Sequence, residues 1–580
     1  MSQNSQNVSS SVVSNPALAG LYDSIPQSGV SQFVGRDKEL ETLHQLLQEH
    51  DQVAIAQSAA PKAIAGISGV GKTELAIQYA KANLKHYTGG VCWLFARADL
   101  GVQIVEFARV YFPNFTIPPK LTPATQVAYC WQQWMPNQGE VLVVIDDVTN
   151  YPQIQPYLPP RSSRFKVLMT TRLQLEQPVQ MLPLDVLTPP AALQLLASRI
   201  GNYRVKDTRG KPFVVTPKQR RGKNTVLPSL TKKGPGVGEQ LCELLGYLPL
   251  GVELVGRYLE QERNLSLEKM RSHIQRGSKS LSRLQKQLLT QQSLIQPENN
   301  TTENLAIQPS VAAAFELSWK RLDEEAQQLG CLLSIFALAP IPWPQLESVY
   351  GQLYLPGALL GKLLNVLPDD SEADIEKVIN ALLENLKDAR SKLEQLHLLQ
   401  RTAEETYQLH PLIRELLGEK LEGLEQSNTF KNAFCQVMVA VAKQISDSPT
   451  RDLIEAVTPA IPHIAEAVTA LSAFISDEDL VESCEGLSWF YQSQGFYDQA
   501  TPWWEQCLCV SQACFGSDHP DVATKLNNLA WLYYAQERYT EAETLSVQAL
   551  RICEQQLGTD HPNAIATRKN LEALYTALKK

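Results

Sequence analysis

The stretch Gly66-Ile-Ser-Gly-Val-Gly-Lys72-Thr73 decides how the N-terminal part of this chain folds. A short apolar run at residues 62–67 predicts a strand, and a helical pattern begins at Thr73. Glycines at this spacing let backbone N–H groups wrap a polyphosphate, and the start of a helix adds partial positive charge there. The pattern therefore predicts a phosphate-binding loop, a P-loop, made by Gly66, Ser68, Gly69, Val70, Gly71, Lys72, Thr73 and Glu74.

The chemistry of this loop predicts ADP or ATP together with Mg²⁺ as the ligand. Lys72 is expected to bridge the β- and γ-phosphates and to assist phosphoryl transfer, and the Thr73 hydroxyl is expected to bind Mg²⁺. The alternative is a glycine-rich turn without a ligand. The complete eight-residue match between a strand and a helix argues against that alternative.

Two further strand ends carry polar residues. The run Val141-Leu-Val-Val-Ile-Asp146-Asp147 brings two carboxylates to the edge of a sheet where ligands bind in open α/β folds. Asp146 is expected to hold Mg²⁺, and Asp147 to orient or deprotonate the attacking water. Arg172 closes the run Thr170-Thr171-Arg172 and could reach the γ-phosphate. The alternatives are aspartates that cap the next element and an arginine that faces solvent.

The order of strand-like and helical patterns predicts a multidomain chain. Short apolar runs at 62–67, 91–95, 141–145 and 166–170 alternate with helical patterns, which favours a parallel α/β sheet covered by helices on both faces. After Pro190 the patterns are helical, apart from a possible hairpin at 398–401 and 406–409. The predicted units are a disordered arm (1–30), a P-loop nucleotide-binding domain (31–187), a helical subdomain (188–290), a linker (291–310), a winged-helix-like domain (311–425) and all-α repeats (426–580).

The C-terminal region repeats itself. Gly516-Ser-Asp-His-Pro520 recurs 42 residues later as Gly558-Thr-Asp-His-Pro562. Such a period indicates stacked helical hairpins, each too small to bury its own apolar face. Residues 480–580 resemble the long tetratricopeptide repeats of the kinesin light chain type, and that resemblance implies a protein or peptide partner.

Composition narrows the class of protein. The 580 residues are 44% hydrophobic and carry a net charge of −9, which argues against nucleic acid or anionic lipid as a partner. An apolar run of the ~18 residues needed for a membrane span is absent, as is a secretory signal. The ten cysteines are scattered without a CxxC pair, which favours buried free thiols in the cytoplasm over a metal site.

One segment is strongly basic, although the whole chain has a negative net charge. Residues 202–233 contain ten Lys or Arg and one acid, Asp207. This basic insertion is interpreted as a solvated loop between two helices, with contact to nucleic acid or to an acidic partner as the alternative.

Taken in order, the motifs resemble a known family. They are Phe33-Val-Gly-Arg36, the P-loop, Ile145-Asp-Asp147, Thr170-Thr-Arg172 and Gly246-Tyr-Leu-Pro-Leu250. This series is similar to the STAND class of P-loop ATPases, of the NB-ARC type found in plant immune receptors, apoptosome proteins and many bacterial regulators. Leu409-His410-Pro411 resembles the family's MHD motif, with Pro411 where the eukaryotic pattern has Asp. The resemblance covers about residues 33–424.

The resemblance implies roles for four more residues. Val34 and Arg36 would lie near the adenine and ribose, Pro249 against the base, and His410 at the β-phosphate of ADP. It also implies a homo-oligomer after activation and a winged helix that packs on the nucleotide domain rather than on DNA.

The sequence therefore predicts a slow ATPase that acts as an ADP/ATP switch, with a sensor in the C-terminal repeats. Two other functions stay open. One is a tetratricopeptide scaffold with a structural nucleotide, and the other is a transcription regulator acting through the winged helix or the basic insertion.

Overall fold

A computed structural model of the full chain provides the coordinates. It describes residues 24–30, 32–57, 69–112, 116–118, 121, 123–134, 139–161, 164–201, 236–292, 308–354 and 372–578. The predicted strand at 62–67 and the basic insertion at 202–233 lie outside the described residues, as does most of the predicted arm.

A five-stranded sheet forms the centre of the N-terminal region. Its strands run in the order β2-β3-β4-β1-β5, and every neighbouring pair is parallel. They are β1 (Gln52–Gln57), β2 (Gly90–Phe95), β3 (Val141–Val148), β4 (Phe165–Thr171) and β5 (Gln180–Leu184). All seven positions of β4 are buried, so both faces of the sheet are covered, as expected for parallel strands. The predicted parallel α/β sheet is confirmed.

Two of the five strands were not predicted. In β1 the apolar run spans only Val53 to Ala56 between two glutamines, and a run this short has no period that separates a strand from a helix. Tertiary pairing decides its structure, because β1 lies between β4 and β5. In β5 the alternation is interrupted by Pro183, which an edge strand tolerates.

Helices flank this sheet and continue beyond it. The sheet region contains α1 (Asp37–Glu49), α2 (Lys72–Ala82), α3 (Leu100–Tyr111), α4 (Pro123–Gln133) and the short α5 (Tyr151–Ile154). A helical segment follows, with α6 (Pro189–Ile200), α7 (Val237–Leu244), α8 (Pro249–Gln261), α9 (Leu267–Gln292) and α10 (Pro309–Trp319). Pro249 stands at the first position of α8, where its missing N–H would have no helical partner in any case.

The middle of the chain combines helices with a small antiparallel sheet. Its helices are α11 (Glu324–Leu333), α12 (Trp343–Tyr354), α13 (Glu372–Gln395) and α14 (Pro411–Glu422). Strands β6 (Ile341–Pro342), β7 (Gln400–Ala403) and β8 (Thr406–Gln408) pair in the order β6-β8-β7. The expected hairpin is thus present as β7 and β8, and β6 adds a third strand.

The C-terminal region is helical throughout its described length. Its helices are α15 (Ser427–Ala442), α16 (Arg451–Val457), α17 (Ile461–Ala470), α18 (Asp477–Ser493), α19 (Tyr497–Phe515), α20 (Pro520–Ala535), α21 (Tyr539–Leu557) and α22 (Pro562–Leu578). From α18 onward consecutive helices pack as antiparallel hairpins. This part confirms the expected all-α repeats.

The repeated turn has a clear physical role. Gly516 takes a φ of +85° and ends α19, a conformation that favours glycine. His519 then caps α20, because its Nδ1 accepts the N–H of Asp521 at 3.2 Å. Pro520 occupies the first helical position. Gly516 therefore ends one helix, and His519 and Pro520 start the next.

The predicted disordered arm needs a correction at its C-terminal end. Residues 24–30 form no helix or strand and hydrogen-bond to two units. The Ser24 Oγ accepts the N–H of Trp93 in β2 at 2.8 Å, and the Gln27 N–H donates to the Thr402 carbonyl in β7 at 2.9 Å. The arm was predicted from composition alone, which does not account for backbone hydrogen bonds to strand ends. These seven residues, hereafter the N-terminal strap, connect the parallel sheet to the β7–β8 hairpin.

No helix in the described ranges is both long and apolar enough to cross a bilayer. Eight of the ten cysteines are buried, and all ten are free thiols. Among the described residues there is also no group of three or more His, Cys, Asp or Glu side chains arranged to hold a metal ion.

Candidate nucleotide site

One cavity collects the predicted site residues from the sheet edge, the helical segment and the β7–β8 region. The predicted residues that line it are Val34, Arg36, Gly69, Val70, Gly71, Lys72, Thr73, Glu74, Asp146, Asp147, Arg172, Pro249 and His410. Gly66 and Ser68, the other two predicted residues, lie outside the described part of the chain. The structure therefore brings together every predicted site residue that it describes.

The described end of the P-loop has the backbone shape that the motif predicts. Gly69 and Gly71 take φ angles of +94° and +91°, which residues with a Cβ seldom adopt. Gly71 directly precedes α2, so the unpaired N–H groups of the first turn of α2 face the cavity side of the loop. This backbone fits a polyphosphate.

Lys72 is the cation at the centre of the cavity. Burial lowers the pKa of its ammonium group, and the nearby Arg172 guanidinium lowers that pKa further. Lys72 and Arg172 line the same cavity and lie close enough for their charges to interact, which favours an anionic ligand. The carboxylates of Asp147 and Asp146 offset this only in part.

The residues predicted to bind magnesium form a compact hydrogen-bonded group. The Asp146 Oδ1 accepts the hydroxyl of Thr73 at 2.7 Å and that of Thr170 at 2.5 Å. Asp146 is 4% exposed, and burial raises the pKa of its carboxyl to about 6 despite those two hydrogen bonds. A hydroxyl and a carboxylate oxygen in contact are the donors that Mg²⁺ prefers, so the pair fits the ion.

Magnesium-dependent nucleotide affinity is therefore expected to fall as the pH drops below about 6. Mg²⁺ needs the ionised Asp146, so the loss should approach ~10-fold per pH unit. Titrations with Mg²⁺ and with EDTA, from pH 8 to pH 5, check this. An equal pH dependence with EDTA would contradict it.

Asp146→Asn is the control, expected to remove both the Mg²⁺ effect and its pH dependence. The variant should also stabilise the ligand-free protein at pH 8 by up to ~3 kcal/mol, because it removes a buried charge. The folded pKa, about 6, lies above the ordinary 3.8. The stabilising contribution of protonated Asp146 in the wild type is thus complete below pH 3.8 and lost as the pH rises through 6. The stability that Asp146→Asn gains over the wild type should therefore vanish in acid.

Asp147 sits in a bulge that turns its side chain away from its neighbour. Its φ is +57°, and the β3–β4 register shifts between Ile145 and Val148. The Asp147 N–H donates to the Thr170 Oγ1 at 2.8 Å. Its Oδ2 accepts the Nε of Arg97 at 2.5 Å, and Arg97 was not among the predicted residues.

Arg36 makes protein contacts where the resemblance implied a nucleotide contact. Its Nη2 donates to the carbonyls of Val70 at 3.2 Å and Asp185 at 2.6 Å, and its Nη1 to the Glu39 carboxylate at 2.8 Å. Arg36 is 4% exposed. Three acceptors hold the guanidinium, so it positions the P-loop backbone against the segment after β5.

Glu74 also differs from the prediction. Its carboxylate accepts the Ser28 hydroxyl at 2.6 Å and the Gly29 N–H at 3.2 Å, both from the N-terminal strap. Gln78, one turn further along α2, donates to Glu74 and Ser28 as well. A carboxylate beside the phosphates would be repelled by them, and these donors direct it to the strap instead.

The helical segment touches the P-loop directly. The Leu250 N–H donates to the Gly69 carbonyl at 3.4 Å. A Cβ on Gly69 would lie 3.0 Å from the Leu250 Cβ, and one on Gly71 would lie 3.9 Å from the Pro249 Cγ. Pro249 thus lies beside the P-loop, and its predicted contact with the base stays a prediction.

His410 caps α14 in the same way as His519 caps α20. Its Nδ1 accepts the Leu412 N–H at 3.2 Å, and Pro411 occupies the first helical position. Nδ1 acts as an acceptor, so the ring proton is on Nε2, which is left as a donor. Burial lowers the pKa of His410 to about 3, and His397, Lys72 and Arg172 contribute to this, so the ring is neutral at pH 7. Pro411, which departs from the family pattern, therefore fits the helix start.

Several cavity residues were missed by sequence reasoning. They are the strap residue Gly29, then Glu253, His397, Gln400, Thr402 and Gln408. None of these residues belongs to a recognisable short motif, so no local signal marks them. Arg97 could have been found, because it follows an apolar strand at the same sheet edge as Asp146.

Comparison with known proteins supports the repeats first. A family model described as tetratricopeptide repeat matches residues 487–555 and 523–580. The C-terminal region therefore contains tetratricopeptide repeats. The matched residues begin within α18, where the helical hairpins begin.

The other similarities are partial. Over 185 residues the chain is 27% identical to the regulatory protein AfsR of Streptomyces griseus, covering 30% of this chain and only 18% of that relative's length. A STAND protein with a tetratricopeptide repeat sensor from Pyrococcus horikoshii has a TM-score of 0.35 at 15% identity, covering 96% of this chain and 79% of its own. The ORC2 protein of Aeropyrum pernix gives 0.25 at 13% identity, covering 68% and 95%.

Proposed function

We propose that this protein is a nucleotide-dependent switch of the STAND class, of the NB-ARC type. In this proposal it binds ADP or ATP with Mg²⁺ and senses a protein or peptide signal through its tetratricopeptide repeats. The observation that carries the proposal is the convergence of Lys72, Asp146, Pro249 and His410 on one cavity. These residues come from three separate units, so a ligand there would hold the units together.

The closed arrangement follows from what each unit supplies. The P-loop and Lys72 bind phosphates, and Thr73 with Asp146 would hold Mg²⁺, which supplies charge neutralisation when bound. Pro249 and Leu250 bring the helical segment onto the loop. The Nε2–H of His410 is a donor for a phosphate oxygen. The middle unit, proposed as a winged helix, thereby contacts the same ligand as the sheet.

Switching requires ligands that stabilise two arrangements unequally. The additional phosphate of ATP would compete with the carboxylates of Asp146 and Asp147 for Lys72. It would also attract Arg172, whose charge lies close enough to interact with that of Lys72. Separation of the middle unit from the sheet would then expose surfaces for oligomerisation. Asp147 is the candidate base for slow hydrolysis, which would return the protein to the closed arrangement.

The experiment that tests this proposal measures the nucleotide carried by purified full-length protein. Samples of wild type, Lys72→Ala and Lys81→Ala are denatured, and released ADP and ATP are quantified by chromatography. Lys81 is the matched control, an exposed lysine on the last turn of α2.

Stoichiometric nucleotide is expected in wild type and Lys81→Ala, with at least a ~10-fold loss in Lys72→Ala, since charge-assisted contacts contribute about 1.5–3 kcal/mol. An empty wild-type protein that takes up no nucleotide when ATP and Mg²⁺ are added would refute the switch and favour a tetratricopeptide scaffold.

A further inference from the structure

The turn between β2 and α3 joins the candidate catalytic edge to the C-terminal repeats. On one side Arg97 binds Asp147 through Nε and Oδ2 at 2.5 Å, and the Ala96 N–H donates to the Asp146 carbonyl at 2.9 Å. Arg97 and Asp147 side chains are each 26% exposed, so the ion pair is partly shielded from water. The turn therefore contacts both aspartates of the β3 end.

On its other side the turn and the start of α3 contact the first repeat hairpin, α18 and α19. Asp99 caps α3 by accepting the Val102 N–H at 2.8 Å, and the Gln499 side chain of α19 lies close enough to the same carboxylate to favour its charged form. A Cβ on Gly101 would lie 2.6 Å from the ring of Phe496, which is fully buried. Only a glycine allows this separation between α3 and the hairpin.

A second contact fixes the same hairpin on the sheet region. The Gln126 Nε2 of α4 donates to the Gln494 carbonyl at 2.7 Å, at the turn between α18 and α19. The Gln499 side chain also reaches the Tyr157 hydroxyl. The hairpin thus rests on α3, α4 and the segment after α5.

Gln103 connects α3 rigidly to the end of β2. Its Oε1 accepts the Phe95 N–H at 2.9 Å, and its Nε2 donates to the Phe95 carbonyl at 2.9 Å. Both backbone groups of the last β2 residue are therefore bound by one side chain of the helix. A shift of α3 would move the turn, and with it Arg97.

Space for such a shift exists beside the turn. A cavity of about 350 Å³ lies between the sheet region, the middle unit and the repeats, and its lining includes Arg97, Arg414 and Tyr491. Arg414 of α14 donates to Glu466 of α17 at 2.7 Å across this junction. Arg97 thus has cavity on one side and Asp147 on the other.

We propose that docking of the α18–α19 hairpin on α3 holds Arg97 against Asp147 and so restrains hydrolysis. A carboxylate oxygen that accepts a guanidinium hydrogen bond is less available to accept a proton from water. Undocking of the hairpin would let α3 and the turn move and would release Asp147. Arg97 is a positioning residue here, acting through Asp147. The inference rests on the proposed function, since it requires a nucleotide at the site.

The test is a double-mutant cycle in the full chain between Arg97→Gln and Gly101→Ala. Gly101→Ala adds one methyl group against Phe496 and favours α3 itself. Val110→Ala is the matched control, because Val110 lies on α3 and is 74% exposed. Steady-state ATP hydrolysis and bound nucleotide are measured for each protein.

Each single variant is expected to hydrolyse ATP at least ~5-fold faster than wild type. This factor is the lower end of the range by which one site usually changes another. The double variant should be no faster than the faster single one, since both act through Arg97. Introducing Asp147→Asn into either single variant should abolish the increase in the rate of ATP hydrolysis. Hydrogen exchange in α19 should rise in Gly101→Ala and stay unchanged in Arg97→Gln, a difference that a general loss of structure would not produce.

The outcomes separate this inference from the proposed function. Stoichiometric nucleotide in every variant with unchanged or lower hydrolysis in Arg97→Gln would overturn the restraint alone. Independent, multiplicative effects of the two changes would overturn the connection through Arg97. Wild-type protein that carries no nucleotide and takes up none when ATP and Mg²⁺ are added would refute the proposed function itself.

Discussion

Gly486→Ala is expected to destabilise the packing of α18 on α15 within the C-terminal region by about 2–4 kcal/mol, the range for strong overpacking. A Cβ at this position of α18 would lie 2.4 Å from the Ala442 carbonyl oxygen and 3.1 Å from its carbonyl carbon, both backbone atoms. A backbone carbonyl cannot rotate away as a side chain can, so the two helices would have to separate.

The matched control is Gly418→Ala in α14. A Cβ there meets nothing within 4 Å, so the same substitution should stabilise the protein by up to ~1 kcal/mol through helix propensity. Hydrogen exchange in α15 and α18 measures the local effect, and urea unfolding measures the effect on the whole chain. A Gly486→Ala protein as protected as wild type would show that the two helices do not approach this closely.

Glu253→Ala is expected to cost about 3–5 kcal/mol, because it leaves a buried guanidinium without its carboxylate. The Glu253 Oε2 and Oε1 accept the Nε and Nη2 of Arg199 at 2.7 and 2.5 Å, which joins α8 to α6. Their side chains are 3% and 8% exposed. The Arg199 stem also packs on Gly256, so it has little freedom to reach water.

Glu260→Ala is the control for this second prediction. Glu260 is an exposed glutamate on the same helix, and its loss should change stability by less than ~0.5 kcal/mol. Exchange of α6 and α8 amides, with and without ADP, localises the effect. The paired variant Arg199→Met with Glu253→Leu should recover most of the loss, since it removes both buried charges. Equal exchange in Glu253→Ala and wild type would contradict the buried pair.

The strands show how far sequence patterns alone predict this fold. Strands β2, β3 and β4 lie at short apolar runs that end at a sheet edge, and all three were predicted within a few residues. Strand β1 has an apolar run of similar length but was not predicted, and its partners β4 and β5 lie more than a hundred residues away. Pairing between strands so far apart in the chain produces no local sequence pattern from which β1 could be predicted.

In the candidate site, too, some features could be predicted from local sequence and others depend on contacts between distant segments. The P-loop, Asp146 and Arg172 carry their chemistry in short motifs, so their place on one cavity could be predicted. The role of Arg36 could not, because its acceptors include the Asp185 carbonyl, 149 positions along the chain. Composition alone mispredicted the N-terminal strap, since its hydrogen bonds reach Trp93 and Thr402.

The sequence by itself determined the parallel α/β class and the tetratricopeptide repeats, and it predicted the P-loop chemistry, because each depends on residues close together in the chain. Only the tertiary structure decided that Glu74 faces the strap, that Arg97 binds Asp147, and that the repeats rest on α3. Side-chain direction and contacts between distant segments depend on how whole units pack. A methyl group at Gly101 or Gly486 is decisive only because it would lie within 3 Å of an atom of Phe496 or Ala442, which belong to distant segments.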